Sequence, residues 1–440
     1  MLSPFLFSFF INELIIELTN SNYHGIQLSP DLIELFCLLF ADDVALFSDS
    51  IIGLQRLLNK LELYCDRWNM SVNLDKSKVV VFKGGGHLSK NEKWSYGGEV
   101  VQTVSYYKYL GILMSCRLNW SMATKLLAQQ AKKSFFAYYK SIKRLGPLSY
   151  DIYFKIFDSA ILPILTYGAE VWGFQKYEHL ERIQYLACRV FLGVSPKAPN
   201  NSVLGECGRY PIFLHTAKRC IKYWAKLLCM PNTRYPKKCY NMLFNIEESG
   251  SRNKETWVAD IKKLLFICNM NELWFAQDVG NIDMFVNTFV LKFKNVLASD
   301  WWADICTLDK LDAYRQFKST LQPEKYLFSV TINSHMQSLS RLRCSSHCLR
   351  IETGRGSLER SMRICELCDR HEIENEFHFL LVCNFFQYIR NRYVPHYFFT
   401  PPTLNKFNNL LSSQNDTILQ RIATYVFHAM KLRREANEFL

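Results

Sequence analysis

The pattern of hydrophobic and polar positions at the start of the chain predicts two helices separated by a short hairpin. Apolar residues occupy nearly every position from 5 to 18, so this segment is expected to form a helix that is buried on almost every side. Two short apolar runs, at 35–40 and 44–47, flank Ala41-Asp42-Asp43, which is the pattern of a tight β-hairpin. Leucine and aromatic residues recur at helical spacing over 53–69 and predict the second helix.

Beyond the second helix, the pattern indicates strands and then a long helical region. Strands are predicted over 79–82, 100–104 and 106–114, so a small α+β unit ends near Cys116. After this unit, apolar residues follow helical spacing through most of the chain. Stretches rich in proline, glycine or polar residues interrupt the helical pattern at 195–201 and 247–255.

The composition favours a folded protein with a polyanionic partner. Of the 440 residues, 49% are hydrophobic and 21% are charged, which favours folded domains over disorder. The formal net charge of +13 favours nucleic acid or an anionic membrane surface as a partner, although solubility alone also explains such a charge. No segment offers the roughly 20 uninterrupted apolar residues of a membrane span, so no span is predicted. The pattern also offers no lipid-facing helix, so a membrane is not expected as the partner.

The cysteine content bears on the cellular compartment in which the protein is expected. There are 15 cysteines, and the first residues show neither a basic stretch before the apolar run nor a small-residue cleavage site, so a signal peptide is not predicted. We therefore expect an intracellular protein, in the nucleus and/or the cytoplasm. Its cysteines are expected to be buried thiols or metal ligands instead of disulfides.

The carboxylates in the hairpin are the first candidates for chemistry. Asp42 and Asp43 are adjacent, they repel each other when ionised, and their apolar flanks are expected to bury them. A divalent cation relieves this repulsion, and phosphoryl transfer by two metal ions requires rigidly held carboxylates. Aspartate is also common in ordinary turns, so the dipeptide alone does not decide between the two interpretations.

A basic helix is predicted over 120–145. At about 100° per residue, six cations fall on one of its faces. They are Lys125, Lys132, Lys133, Lys140, Lys143 and Arg144. The opposite face carries Leu127, Ala131, Tyr138, Ile142 and Leu145. Such a basic face suits a phosphate backbone, and the alternative is a solvated charged surface.

A group of cysteines and one histidine has the spacing of a structural zinc site. Cys365 and Cys368 form a Cys-x-x-Cys pair, followed by His378 after nine residues and Cys383 after four more. His371 is a rival ligand, and buried thiols without a metal are the alternative interpretation.

Four motifs in the first part of the chain carry a family resemblance. Residues 2–7 (Leu-Ser-Pro-Phe-Leu-Phe) with 10–14 (Phe-Ile-Asn-Glu-Leu) are followed by Phe-Ala-Asp-Asp at 40–43. Next come Trp-Asn-Met-Ser-Val-Asn-Leu-Asp-Lys-Ser-Lys at 68–78 and Tyr-Leu-Gly at 109–111. In this order the motifs resemble the palm helix, the metal-binding hairpin, the following Asn/Lys motif and the primer-gripping hairpin of reverse transcriptases from non-LTR (LINE-like, jockey-like) retrotransposons.

The resemblance continues into the helical region. Residues 145–147, 163–172 and 180–184 look like the family's thumb and the stretch after it, and 374–380 resembles its C-terminal Cys/His motif. The implied fold is α+β: a truncated reverse-transcriptase palm, a helical thumb and a mostly α-helical C-terminal region with a small Cys/His segment. The implied segments are a partial palm at 1–118, a thumb at 119–195, a helical connector at 196–340, a Cys/His segment at 341–395 and a helical tail at 396–440.

The resemblance also implies roles for individual residues. Asp42 and Asp43 would bind Mg²⁺, Lys76 would stand near the incoming triphosphate, and an RNA template and a DNA primer would be the partners. The residues at the primer would be Tyr109, Leu110 and Gly111. The Cys/His segment would hold Zn²⁺ and contact nucleic acid.

One element of the family's metal site is expected to be missing. The family has a third metal-binding Asp on a strand before the palm helix, whereas Met1 lies inside the motif that opens this helix. Asp31, which follows a proline in a connector, cannot replace it. The chain is therefore expected to be a fragment of an RNA-directed DNA polymerase that is inactive alone, and whether it acts as an enzyme stays open. The alternative is a non-catalytic nucleic-acid-binding protein that uses the basic helix and the Cys/His segment.

Overall fold

The computed structural model describes residues 3–19, 25–27, 34–84, 86, 92–250 and 256–437. The chain forms two compact units. Unit 1 comprises Met1–Ala123, Tyr223–Lys263 and Trp274–Val279, and unit 2 comprises Thr124–Lys222, Leu264–Leu273 and Gly280–Leu440. The division into five segments by sequence stays a prediction.

The first part of unit 1 combines helices with small antiparallel sheets. Its helices are α1 (Ser3–Thr19) and α2 (Ile51–Arg67), the second capped by Ser50, whose side chain accepts a hydrogen bond from the amide of Gly53. Each sheet in the described residues is a pair of neighbouring strands. The pairs are β1 (Ile26–Gln27) with β2 (Glu34–Leu35), β3 (Cys37–Phe40) with β4 (Asp43–Leu46), β5 (Trp94–Tyr96) with β6 (Glu99–Val101), and β7 (Tyr106–Tyr109) with β8 (Ile112–Ser115).

Later strands of unit 1 differ in detail from those predicted. Val79 makes a single parallel bridge with Thr103, so the strand predicted over 79–82 is reduced to one residue pair. The run at 106–114 folds back on itself as the β7–β8 hairpin, and the strand predicted over 100–104 is β6, which starts and ends earlier. Alternation of apolar residues indicates extended backbone, but it does not show where the chain turns.

Helix α1 lies on one side of a hydrophobic core that it shares with β3 and α2. The buried core residues are Leu14, Leu18, Cys37, Leu57, Leu61, Tyr64 and Cys65. The prediction that α1 is buried on almost every side is wrong, because Leu6, Phe9 and Ile16 are exposed, Phe9 to 79%. In the described residues, α2 and the β3–β4 hairpin cover only the side of α1 that carries Leu14 and Leu18.

From Ser121 onward the chain is helical, which confirms the prediction of an α+β protein that is mostly helical after its first part. The helices are α3 (Ser121–Ile142), α4 (Tyr150–Ile156), α5 (Leu162–Leu165), α6 (Ala169–Trp172), α7 (Glu178–Leu192), α8 (Asn200–Glu206), α9 (Ile212–Leu228), α10 (Tyr235–Glu248), α11 (Trp257–Ile267), α12 (Asn271–Ala276), α13 (Ile282–Thr307), α14 (Tyr314–Phe317), α15 (Tyr326–Ser329), α16 (Asn333–Arg343), α17 (Arg350–Thr353), α18 (Gln387–Tyr393), α19 (His396–Phe399), α20 (Leu404–Leu411) and α21 (Asp416–Asn437). None of the helices in the described part of the chain has both the length and the apolar character that a membrane crossing requires.

A buried ionic network holds elements of unit 2 together. The Arg343 guanidinium of α16 donates to both carboxylate oxygens of Glu206 at 2.7 and 3.0 Å, and it lies 2.7 Å from a carboxylate oxygen of Glu324. The Tyr326 hydroxyl donates to Glu206 at 2.6 Å, and Lys318 pairs with Glu324. Two cations therefore balance two carboxylates, which is the condition under which charges can be buried.

Candidate metal and nucleic-acid sites

The two hairpin carboxylates lie at the tip of the β3–β4 hairpin. Phe40 pairs with Asp43 across the strands, so Ala41 and Asp42 form a two-residue turn. Both aspartates are exposed, which contradicts the expectation that apolar flanks bury them. Strand alternation explains the difference, because Val44 packs on the core of unit 1 while Phe40, on the opposite face, is 62% exposed. The carboxylates are thus accessible to a ligand in solution.

The turn itself has an uncommon backbone conformation. Ala41 has φ 54°, in the left-handed region that usually requires glycine or asparagine. An alanine in this region costs roughly 1–2 kcal/mol.

The β7–β8 hairpin brings a second predicted motif near the first. Leu110 and Gly111 form its turn, with φ of 45° and 85°, the pair of positive values that a tight hairpin turn requires. Burial, and then the negative charge of Asp43, raise the pKa of the Tyr109 phenol. The structure therefore brings Tyr109 within electrostatic reach of the carboxylate hairpin.

Lys76 lies in a turn that is attached to the same hairpin. Its amide donates to the Asn73 side-chain oxygen at 3.1 Å and to the Asn73 carbonyl at 3.2 Å, so Asn73 holds this turn. The Tyr107 hydroxyl of β7 donates to the Lys76 carbonyl at 3.1 Å. The Lys76 side chain is exposed. Asn73 thus has a structural role in the turn. The tendency of asparagine side chains to bond to nearby backbone amides could have predicted this role from the sequence.

Four of the six predicted cations lie on α3, and Lys143 and Arg144 lie on the turn that follows it; we call this surface the basic face of α3. The α-helix ends at Ile142, and a single 3-10 turn covers Lys143–Leu145. Among the described residues, none of the six cations forms an ion pair, and all six are exposed; they are Lys125, Lys132, Lys133, Lys140, Lys143 and Arg144. On the opposite face Leu127 and Ala131 are buried and Tyr138 is half-buried, while the side chains of Ile142 and Leu145 lie outside the described set.

The motif at 180–184 has a structural explanation. The Glu181 carboxylate accepts hydrogen bonds from the amides of Ile212 at 2.8 Å and Phe213 at 3.0 Å, at the start of α9. Burial raises the pKa of Glu181 to about 7, although these two hydrogen bonds act in the opposite direction. Gln184 donates to the Tyr210 carbonyl at 2.8 Å. Both residues are buried, and their hydrogen bonds hold the segment that leads into α9.

The cysteine and histidine group is assembled by a loop and a π-helical turn. A bridge between Ile364 and Ile373 closes the loop that carries Cys365 and Cys368. His378 opens a π-helical turn, and Cys383 follows its end. The four ligand atoms, from Cys365, Cys368, His378 and Cys383, all lie within 4.8 Å of one another.

The distances within this group suit a zinc ion. The sulfur atoms of Cys365 and Cys383 are 3.9 Å apart, and the Cys368 sulfur lies 3.4 Å from Nε2 of His378. Ligands about 2.0–2.3 Å from a tetrahedral ion lie roughly 3.3–3.8 Å from each other. His371, the rival ligand, does not belong to the group; it is exposed in a turn with φ 51°.

Hydrogen bonds around the group set its protonation. Nδ1 of His378 lies 3.0 Å from the Glu372 carboxylate, which directs Nε2 toward the thiols, as in many zinc-binding histidines. Burial lowers the pKa of His378, but hydrogen bonds with Cys365 and Glu372 outweigh it and raise the value. The hydrogen bond between Cys365 and Cys383, together with burial, raises the pKa of Cys365 to about 12, and the same bond lowers the pKa of Cys383.

Buried polar contacts attach this group to the last helix. Glu374 accepts two hydrogen bonds, both 2.6 Å long, from Arg433 of α21 and one of 2.7 Å from the amide of Arg350. The buried Arg390 donates to carbonyls of the π-helical turn and to the Cys383 carbonyl at 2.7 Å. The motif at 374–380 therefore contributes buried structural contacts through Glu374 as well as the candidate ligand His378, and the spacing alone does not indicate these contacts.

Comparison with known proteins finds a family match in the first part of the chain. Residues 1–114 match the family described as reverse transcriptase (RNA-dependent DNA polymerase). The chain is 27% identical over 162 residues to the RNA-directed DNA polymerase from mobile element jockey of Drosophila melanogaster, a match that covers 36% of this chain and 18% of that protein. It is 29% identical over 163 residues to the probable RNA-directed DNA polymerase from transposon X-element of the same species, covering 34% and 17%.

A shorter relative matches as well. The chain is 28% identical over 145 residues to a putative uncharacterized transposon-derived protein of Caenorhabditis elegans, a match that covers 32% of this chain and 49% of that protein. Its match to the two Drosophila proteins thus spans less than a fifth of their lengths.

Proposed function

Because residues 1–114 match the reverse transcriptase family and the chain resembles proteins of jockey-type mobile elements, we propose that it is part of a mobile-element RNA-directed DNA polymerase. The observation that carries this proposal is the β3–β4 hairpin, whose tip exposes Asp42 and Asp43 near Tyr109. An RNA template and a DNA primer are the proposed partners. Lys76 is assigned to the incoming triphosphate, and Tyr109, Leu110 and Gly111 to the primer.

Asp42 and Asp43 are the proposed Mg²⁺ ligands. Their carboxylate oxygens are the ligand type that Mg²⁺ prefers, and their exposure leaves room for the phosphates that share its coordination. When bound, the metal supplies charge stabilisation for nucleotidyl transfer. Among the described residues, the cysteine and histidine group is the one place where three or more potential metal ligands come together. No third carboxylate of the described residues therefore lies with Asp42 and Asp43. Asp31 lies outside the described residues. We propose that Asp42 and Asp43 need a further ligand to hold two metal ions.

The first prediction is that this polypeptide does not extend a primer by itself. Two carboxylates at the tip leave the two metal ions of nucleotidyl transfer without a full set of ligands. The measurement is primer extension by the purified full chain on an RNA template, with Mg²⁺ or Mn²⁺. Extension that Asp42→Asn abolishes and the exposed control Asp49→Asn leaves intact would overturn this prediction.

A second candidate function is nucleic-acid binding without catalysis. The observation that favours it is the basic face of α3, where six exposed cations have no carboxylate partner among the described residues. Cations that are not neutralised within the protein are available to phosphates, and each contact releases counterions from the nucleic acid. The two candidates are compatible, because a polymerase part can retain binding without catalysis.

The cysteine and histidine group is proposed to hold a structural zinc ion. Three sulfurs and one imidazole nitrogen are the ligands of a closed zinc site, and the Glu372 carboxylate supplies the outer hydrogen bond. The ion would tie the loop at Cys365 to the turn at His378. Together with the free cysteines, this is the basis for proposing a reducing intracellular compartment, the nucleus and/or the cytoplasm.

A further inference from the structure

An exposed aromatic ring interrupts the basic face of α3. Phe136 is 45% exposed and lies one helical turn from Lys132 on one side and Lys140 on the other. At about 100° per residue, it falls inside the arc of the six cations. The two flanking lysines are about 12 Å apart along the helix axis, with the ring between them.

The ring contacts one buried aromatic residue of the same helix. Phe135, which is buried, meets Phe136 edge to face, with centroids 5.7 Å apart and planes at 67°. Phe135 also stacks on Tyr139, at 6.2 Å and 11°. Single exposed apolar side chains are common on protein surfaces, so exposure alone carries no conclusion. The surrounding unpaired cations distinguish Phe136, because they attract a polyanion to the ring.

We propose that Phe136 stacks on an unpaired base of a single-stranded nucleic acid, whose flanking phosphates contact Lys132 and Lys140. This inference rests on the proposed nucleic-acid-binding function and names the form of nucleic acid that the surface selects. Phe136 has no hydrogen-bonding group, so the surface that it can cover is the flat face of a base. In a duplex, neighbouring base pairs cover these faces, whereas in a single strand they are accessible.

The test compares the full chain with its Phe136→Leu variant on three probes. These are a single-stranded oligothymidylate, the same strand with abasic sites in place of bases, and a duplex of equal length. Loss of one base–aromatic stack is expected to weaken binding of the oligothymidylate by about 5- to 100-fold. Binding of the abasic strand and of the duplex is expected to change little, because neither presents an accessible base.

Two control variants separate this inference from the function on which it rests. Lys132→Gln with Lys140→Gln is expected to weaken binding of all three probes, and Leu126→Ala, which removes a similarly exposed apolar side chain at the edge of the face, is expected to weaken none. If the wild type binds with strong salt dependence and Phe136→Leu binds each probe as tightly as the wild type does, the stacking inference is wrong. The proposed binding function then stands. Equal losses for Phe136→Leu on all three probes would also overturn the stacking inference. If the wild type binds no probe, the proposed function itself fails.

Discussion

Replacing Cys368 and Cys383 together by serine is expected to remove about one equivalent of copurifying zinc and to destabilise the C-terminal part of unit 2. Zinc in small peptide sites contributes apparent binding free energies of about 10–16 kcal/mol, which become folding free energy where the site forms only on folding. Here the Glu374–Arg433 pair provides a second anchor, so a local loosening is expected in place of complete unfolding. Elemental analysis and thermal unfolding with and without a chelator measure both effects.

Matched variants make the zinc prediction specific. Cys229 and Cys306 are exposed and lie outside the group, so their double serine variant should keep the metal and the unfolding transition. His371→Ala should also keep both, because this side chain does not join the other ligands. An unchanged zinc content in the Cys368→Ser, Cys383→Ser variant rules out this ligand set.

Arg343→Met is expected to lower the free energy of unfolding of unit 2 by about 3–5 kcal/mol. The methionine fills part of the space, but it leaves the Glu206 carboxylate buried without its bidentate partner. It also leaves the Leu411 carbonyl without the hydrogen bond of 2.6 Å that Arg343 donates. Denaturant titration followed by circular dichroism measures the change.

The control for this variant is an exposed ion pair. Arg360 is 57% exposed in its pair with Asp312, so Arg360→Met should cost less than about 1 kcal/mol. Adding Glu206→Gln to Arg343→Met should recover part of the loss, because it removes the uncompensated charge. A loss for Arg343→Met no larger than that for Arg360→Met would show that the network contributes little to stability.

Local patterns in the sequence predict the helices and the main hairpin well. Helical spacing of leucines over 53–69 corresponds to α2, and the apolar runs around Ala41-Asp42-Asp43 correspond to β3 and β4. The exposure of Phe9 on α1 and the reduction of the strand at 79–82 were not predictable in this way. Both depend on which other elements pack against the segment, and a local pattern does not contain that information.

The sequence likewise predicts part of the candidate zinc site and not the contacts that support it. The spacing of Cys365, Cys368, His378 and Cys383 is sufficient to group them, because short loops bring such residues together. The supporting contacts depend on longer separations: Glu374 meets Arg433, 59 residues away, and Glu206 meets Arg343, 137 residues away. Pairs of opposite charge are too numerous in a chain of this composition for the sequence to select the right ones.

The central claim tested here is that the basic face of α3 binds nucleic acid. The most direct measurement is the salt dependence of nucleic-acid binding by the full chain and by its Lys132→Gln, Lys140→Gln, Lys143→Gln variant. Each phosphate contact contributes about 0.7–0.9 to the slope of log affinity against log salt, so the triple variant should lower the slope by roughly 2 to 3. Tyr138→Ala, on the half-buried side of α3, should lower the melting temperature and leave the slope unchanged. A cooperative thermal transition establishes first that each variant is folded. A steep slope in the wild type that flattens in the triple variant is the predicted result, and a folded triple variant with the wild-type slope contradicts the account.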